Sequence, residues 1–83
     1  MPKLPRISAS KVINALEKLG FVQVRQRGSH VILKKQFVQE GEEEKILEVG
    51  CVVPMHRKNI AVGTLKNILN QAGITVEEFI ENL

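Results

Sequence analysis

Apolar residues recur at helical spacing near the start of the chain. The stripe consists of Val12, Ile13, Leu16 and Leu19. A serine, Ser8 or Ser10, precedes it and can accept hydrogen bonds from the free N–H groups of a first helical turn. Gly20 follows the stripe and can end the helix with a positive φ. The pattern predicts a helix over residues 9–19.

Two further stripes occupy the C-terminal third. They consist of Leu65, Ile68, Leu69 and Ala72, and then of Val76, Phe79, Ile80 and Leu83. Gly73 closes the first stripe, and Thr75 with Glu78 has the spacing of a capping box ahead of the second. We therefore expect one helix over residues 64–72 and another from Val76 to the C-terminus.

Between the helical segments the apolar period changes to two. Val22 and Val24 alternate with Gln23, Arg25 and Arg27, which predicts a half-buried strand with its valines toward the core. The pair Gly28-Ser29 then predicts a turn.

A second strand is expected from His30 to about Phe37. Val31 and Leu33 would face the core, and His30, Ile32 and Lys34 would lie on the opposite face, together with Arg25 and Arg27.

The polar segment 39–44 predicts a reversal into a third strand over residues 45–53, which Pro54 ends because it has no N–H to donate. The order α-β-β-β-α-α predicts an α+β fold with a three-stranded antiparallel sheet and helices on one face. Residues 1–83 are expected to form a single domain, since 83 residues leave no room for a second one.

Charge is distributed unevenly along the chain. The net charge is +3, yet residues 1–35 carry eight Lys and Arg against the single acid Glu17, whereas residues 40–44 carry four glutamates. The basic half could face a polyanion, or it could be an ordinary solvated lysine surface. A single cysteine and no signal-peptide-like leader favour a reducing, cytoplasmic setting, and no apolar run approaches the roughly 20 residues of a membrane span.

Few residues could carry catalysis. The chain has no aspartate, so a Ser/His/Asp triad has no support. Cys51, His30 and His56 lack the paired spacing of structural zinc sites, so neither a metal nor a cofactor is expected. Cys51 is interpreted as a small buried hydrophobic residue.

His30 is the most informative residue, because it follows the Gly-Ser turn and shares a face with cations. RNA carries its own nucleophile in the 2′-hydroxyl, so a base and phosphate-holding cations suffice to start cleavage. The alternative is a structural histidine. His56, beside Arg57 and Lys58, could transfer a second proton or contact phosphate, or be a surface loop residue.

Several segments together resemble the HicA, or YcfA-like, family. They are residues 1–6, 15–21, 25–30, 53–56 and 63–75. The resemblance implies a fold like that of double-stranded-RNA-binding domains, cleavage of mRNA, and neutralisation by a HicB-type antitoxin. The family's catalytic histidine falls on His30, and a recurrent family histidine falls on His56. Arg25, Arg27, Lys34, Arg57 and Lys58 are the predicted RNA contacts.

Two other functions remain open on this sequence. The same basic surface could hold RNA without cutting it, as a non-catalytic RNA-binding module, or it could dock an acidic protein. A HicB-like reading frame beside this one would favour the toxin over both alternatives. The third strand and the acidic segment 39–44 depart from the family pattern, but neither departure falls in the matched segment that contains His30.

Overall fold

The part of the chain that the structure describes forms three helices and three strands. The computed structural model describes residues 4–41, 43–55 and 59–83. In chain order the elements are α1 (Ala9–Lys18), β1 (Val22–Arg27), β2 (His30–Gln39), β3 (Lys45–Pro54), α2 (Val62–Ala72) and α3 (Val76–Glu81). The strands make one antiparallel sheet in the order β1-β2-β3. The predicted α+β class, the element order and the sheet are therefore confirmed.

Both ends of α1 are fixed by side chains. Of the two candidate serines, Ser8 is the N-cap, and its hydroxyl accepts a hydrogen bond of 3.3 Å from the Lys11 N–H. At the other end, the Leu19 carbonyl accepts a hydrogen bond of 2.8 Å from the Lys35 ammonium of β2. Gly20 has a φ of 102°, as expected of the stop residue.

The C-terminal helices also begin and end close to the predicted positions. Helix α2 starts two residues earlier than expected, at Val62, and ends at Ala72, followed by the C-cap Gly73, whose φ is 70°. Thr75 caps α3, where its hydroxyl oxygen accepts from the Glu78 N–H at 3.1 Å and its hydroxyl donates to the Glu78 carboxylate at 3.1 Å. The predicted pairing of Thr75 with Glu78 is confirmed.

The helices cover only one face of the sheet, which we call the inner face. Val31 and Leu33 of β2 and Cys51 and Val53 of β3 point into the core, as predicted for β2. They pack with apolar residues of the helices and connections: Ala9, Val12, Ile13, Ala15, Leu16, Phe21, Ile60, Leu65, Ile68, Leu69, Ala72 and Phe79. The opposite, outer face of the sheet has no helix against it in the described part of the chain.

The prediction that Val22 and Val24 face the core is wrong. All six residues of β1 are exposed, with Val22 at 60% and Val24 at 52%. Val22 pairs with Lys34, which places it on the outer face, and the register shifts between Gln23 and Arg25, so Val24 has no partner across the ladder. The expected half-buried strand is instead an exposed edge strand.

Strands β2 and β3 run on beyond β1. Residues 35–39 of β2 pair with residues 45–49 of β3 and with nothing on their other side among the described strands. In this part the apolar residues are largely uncovered, since Phe37 is 41%, Val38 57% and Ile46 73% exposed. The sheet therefore changes along its length from a covered three-stranded half to a two-stranded extension.

Candidate active site

His30 stands at the first position of β2, immediately after a tight turn. Arg27 and His30 pair across the two-residue connection Gly28-Ser29. Gly28 has a φ of 57° at the first central position, where a type II′ turn requires a positive φ and so favours glycine. The Gln26 side-chain amide donates to the Gly28 carbonyl at 3.1 Å, which braces the turn. The backbone position of His30 is thus set by local chemistry.

Cations flank His30 on the outer face. Arg27 is directly opposite His30 on β1, where Cβ atoms of cross-strand partners lie about 4.5–5.5 Å apart. Arg25 is opposite Ile32, one row further along the same face. It is therefore a diagonal neighbour of His30, and such neighbours lie about 7–8 Å apart. The predicted sharing of one face by His30, Arg25 and Arg27 is confirmed.

The register shift in β1 is what brings Arg25 to the outer face together with Val22. An uninterrupted strand would place residues 22 and 25 on opposite faces, because side chains alternate. Here one extra residue intervenes, so Val22 pairs with Lys34 while Arg25 pairs with Ile32, both outer-face positions. The shift also turns Gln23 to the inner face, opposite Leu33, and so separates it from Arg25, with which the sequence pattern had grouped it.

The strand that carries His30 is firmly held. β2 lies between β1 and β3, and His30 pairs with Pro54 on its second side. The next residue, Val31, is 2% exposed and belongs to the core, while the His30 side chain itself is exposed. A buried neighbour fixes the backbone from which the exposed functional side chain projects.

Comparison with known families identifies the chain. A protein-family model described as the HicA toxin of bacterial toxin-antitoxin matches residues 9–74, which is most of the chain. The chain belongs to the HicA toxin family. Among curated proteins, the comparison finds no match. Membership implies a toxin role and an antitoxin partner within a toxin–antitoxin system.

In this HicA toxin, Lys34 lies on the outer face as predicted, but it already forms an ion pair with a carboxylate. The Lys34 ammonium is 3.1 Å from the Glu48 carboxylate, which also accepts a hydrogen bond of 3.1 Å from the Gln36 amide. These contacts, first the Gln36 hydrogen bond and then Lys34, lower the pKa of Glu48. Lys34 is therefore less available to bind a phosphate than Arg25 or Arg27.

The sequence pattern did not identify Glu48 as a neighbour of the candidate site. Its partner across the ladder is Gln36, and Lys34 is one row away, so the contact depends on the β2–β3 register. The sequence offered one signal, the alternation of side chains along a strand, which places Glu48 on the opposite face to Leu47 and Val49. Alternation indicates which face of the sheet Glu48 occupies, but not which residue it contacts.

The predicted contributors His56, Arg57 and Lys58 lie outside the described residues. The chain is described up to Met55, whose N–H donates to the Ser29 carbonyl. This hydrogen bond ties the end of β3 to the turn that precedes His30. The chain is described again from Asn59, and Ile60 donates to the Ile7 carbonyl at 2.8 Å.

Beyond the candidate site, a cysteine and the metal-ligating residue types are the other possible sources of chemistry in the described residues. Cys51 is 3% exposed, and burial raises the pKa of its thiol to about 11, so it behaves as the small hydrophobic residue that was predicted. Within residues 4–41, 43–55 and 59–83, no three His, Cys, Asp or Glu side chains gather as a metal site requires. No helix in this part of the chain has the length and apolar character needed to cross a membrane.

Proposed function

We propose that this HicA toxin is a metal-independent endoribonuclease that cleaves mRNA, with His30 as its catalytic residue. The observation that supports this most is the setting of His30, exposed on the outer face, opposite Arg27 and one row from Arg25. An imidazole can exchange a proton near neutral pH, and guanidinium groups bind phosphate through two parallel hydrogen bonds.

The reaction uses the nucleophile that RNA carries. The His30 imidazole takes the proton of a ribose 2′-hydroxyl, and the 2′-oxygen forms a bond to the adjacent phosphorus. The bond from phosphorus to the 5′-oxygen of the next nucleotide breaks, and that oxygen takes up a proton. The products are a 2′,3′-cyclic phosphate and a 5′-hydroxyl. Nothing in this sequence of steps needs a metal ion.

Cations around His30 stabilise the phosphate as negative charge develops on it. Arg25 and Arg27 supply this role on the outer face, and Lys34 contributes once it releases Glu48. Arg57 and Lys58 follow Met55, which lies at the turn, and we include them among the RNA contacts. We include His56 as a further contributor to the reaction, either as a second proton-transfer group or as a phosphate contact.

The partner we propose is a HicB-type antitoxin, and the site of action is the cytoplasm, where mRNA is translated. Co-expression of a HicB-type protein encoded beside this chain should restore growth that the toxin alone arrests. Growth arrest that persists in the presence of a co-purifying HicB-type protein would contradict this pairing.

The decisive experiment compares the wild type with His30→Ala on end-labelled mRNA in the presence of EDTA. Wild-type protein should give fragments with 5′-hydroxyl ends, and the variant should cut about 10²- to 10⁴-fold more slowly, the usual contribution of proton transfer. The control is Gln39→Ala, at the other end of β2, purified in the same way. It should cut as fast as the wild type.

Thermal melts decide how the result is interpreted. An exposed strand residue supports little packing, so His30→Ala should cost less than about 1 kcal/mol of stability. A variant that still cuts RNA, or one that fails only because it unfolds, would remove His30 from the mechanism. Fragments that form with Mg²⁺ and not with EDTA would contradict the metal-free reaction. RNA binding without cleavage would instead support the alternative function, a non-catalytic RNA-binding module.

A further inference from the structure

A small cleft lies on the covered side of the hairpin that carries His30. It has a volume of about 210 Å³ and lies between α1 and β1, with Ile13 and Val31 among its apolar walls and Met55 at one side. Its polar groups are Ser10, Asn14, Glu17, Gln23 and Gln26. The volume is below the about 300–1,000 Å³ of pockets for drug-sized ligands, so it suits one small group.

Two rows of polar side chains face this cleft, one from each element. On α1, Ser10, Asn14 and Glu17 recur at helical spacing and share one exposed side of the helix. On β1, Gln23 pairs with Leu33 and Gln26 with Val31, so both are inner-face positions. Without the register shift in β1, residues 23 and 26 would lie on opposite faces. The shift is therefore what places both glutamines at the cleft.

The chemistry of the cleft contrasts with that of the outer face. Among the described residues, those that line the cleft include no lysine or arginine, whereas the outer side of the same hairpin carries Arg25 and Arg27. Amide side chains both donate and accept, and in nucleic-acid complexes they pair with adenine edges, while carboxylates accept from the cytosine amino group. Among the described lining residues, a phosphate would meet the Glu17 carboxylate and no lysine or arginine. The cleft thus matches a base edge rather than a backbone.

The cleft and His30 are close in the fold. Gln26 precedes Arg27 and Val31 follows His30, so the two surfaces are opposite sides of one hairpin. β1 is the edge strand on this side of the sheet, so an RNA chain can pass around it with a phosphate on the outer face and a neighbouring base in the cleft. Single-stranded RNA can turn a base out in this way, whereas a paired base cannot reach it.

We propose that this cleft binds one unpaired RNA base near the cut bond and sets the base preference of cleavage. The inference rests on the proposed endoribonuclease function. Asn14 and Gln23 are the residues that distinguish one base from another, since each is an exposed amide at the cleft. Gln26 is partly committed to the turn through its 3.1 Å hydrogen bond to Gly28.

The test maps every cut made in one mRNA by the wild type, Asn14→Ala and Gln23→Ala, with Gln39→Ala as the matched amide control far from the cleft. The wild type should favour one base at a fixed position near the cut. Loss of one amide contact to a base edge should reduce the ratio of favoured to disfavoured cuts by about 5- to 100-fold. Gln39→Ala should keep the wild-type profile, and melts should show all variants folded.

Several results would overturn the proposal. A wild type without base preference, or variants that keep the wild-type profile, would exclude the cleft from base recognition. A uniform fall in rate at all sites would show a general role in binding or folding. Variants that lose affinity for the antitoxin while their cleavage profile is unchanged would identify a protein as the occupant.

Failure of the proposed function can be told apart from failure of this inference. If the wild type does not cut RNA at all, the endoribonuclease proposal fails, and binding of four labelled homo-oligoribonucleotides decides the role of the cleft. The wild type should then prefer one base, and Asn14→Ala should lose that preference while Gln39→Ala keeps it. Equal affinities for all four oligomers in the wild type would overturn the inference.

Discussion

The two ends of the sheet differ in almost every physical respect although β2 runs through both. At the turn end, residues 25–32 and 52–54, three strands lie side by side and the inner-face residues Val31 and Val53 are buried under the helices. At the far end, residues 36–39 and 45–48, β2 and β3 continue without a third described strand, and Val38 and Ile46 are mostly exposed.

Charge follows the same division. The turn end carries Arg25, Arg27 and His30 on its outer face, whereas the far end leads into the exposed acids Glu40, Glu43 and Glu44. Strand residues advance about 3.3 Å each, so the two groups are separated by most of the length of β2. A polyanion approaching the sheet is attracted to one end and repelled from the other.

The candidate functional residues lie at the turn end, where the backbone is held on both sides. A functional side chain needs a rigid base, which comes from burial of its neighbours and from strands on both sides. His30 has both, through Val31 and through its pairing with Arg27 and Pro54. The far end has neither, and we expect it to contribute little to stability.

The largest expected effect tests this difference in packing. Leu33 is fully buried in the three-stranded half. Leu33→Ala should lower the free energy of unfolding by about 2–5 kcal/mol, because the change leaves a cavity. Ile46→Ala, in the far end, should change stability by no more than about 0.5 kcal/mol. Urea unfolding of the two variants measures both. A comparable loss for Ile46→Ala would mean that the far end is packed in solution.

A smaller effect distinguishes the contributions of the individual outer-face cations to RNA binding. Arg27→Ala should weaken RNA binding about tenfold and reduce the slope of log affinity against log salt by about 0.7, the value for one phosphate contact on a single strand. Arg25→Ala should behave alike. Lys34→Ala should do less of both, because Glu48 already holds that ammonium. Equal losses for Lys34 and Arg27 would show that RNA displaces Glu48 at little cost.

The smallest effect concerns Glu48 itself. Its pKa is lowered by Gln36 and Lys34, so the ionised carboxylate adds stability above its usual pKa of 4.5, and this contribution is lost as pH falls through the lowered value. The stability difference between wild type and Glu48→Gln should therefore shrink between about pH 6 and pH 3. Because Glu48 is exposed, the difference is small at any pH.

The matched control for this variant is Glu44→Gln, which removes the same charge from the loop. Glu48→Gln should raise RNA affinity more than Glu44→Gln, since it releases Lys34 as well as removing a negative charge. Adding Lys34→Ala should cancel the excess. An equal gain in the two single variants would mean that only net charge matters on this face.

The sequence by itself determined the features that depend on near neighbours in the chain. The helix stops at Gly20 and Gly73 and a serine N-cap for α1 follow from capping chemistry that acts within a few residues. The choice of Ser8 over Ser10 as that N-cap came from the structure. The turn at Gly28 and the alternation along β2 are equally local, so the pattern predicted which face His30 and Lys34 share. The roles of His30, Arg25, Arg27, Lys34, His56, Arg57 and Lys58 stay predictions.

Only the tertiary structure decided what depends on partners distant in the chain. The apolar Val22 was expected in the core, yet an edge strand with a register shift leaves it exposed. The same shift brings Gln23 and Gln26 to the cleft, and the β2–β3 register brings Glu48 to Lys34. Alternation fixes which residues share a face, but an inserted residue reverses the phase at little local cost. The sum of contacts across the whole sheet therefore selects the register.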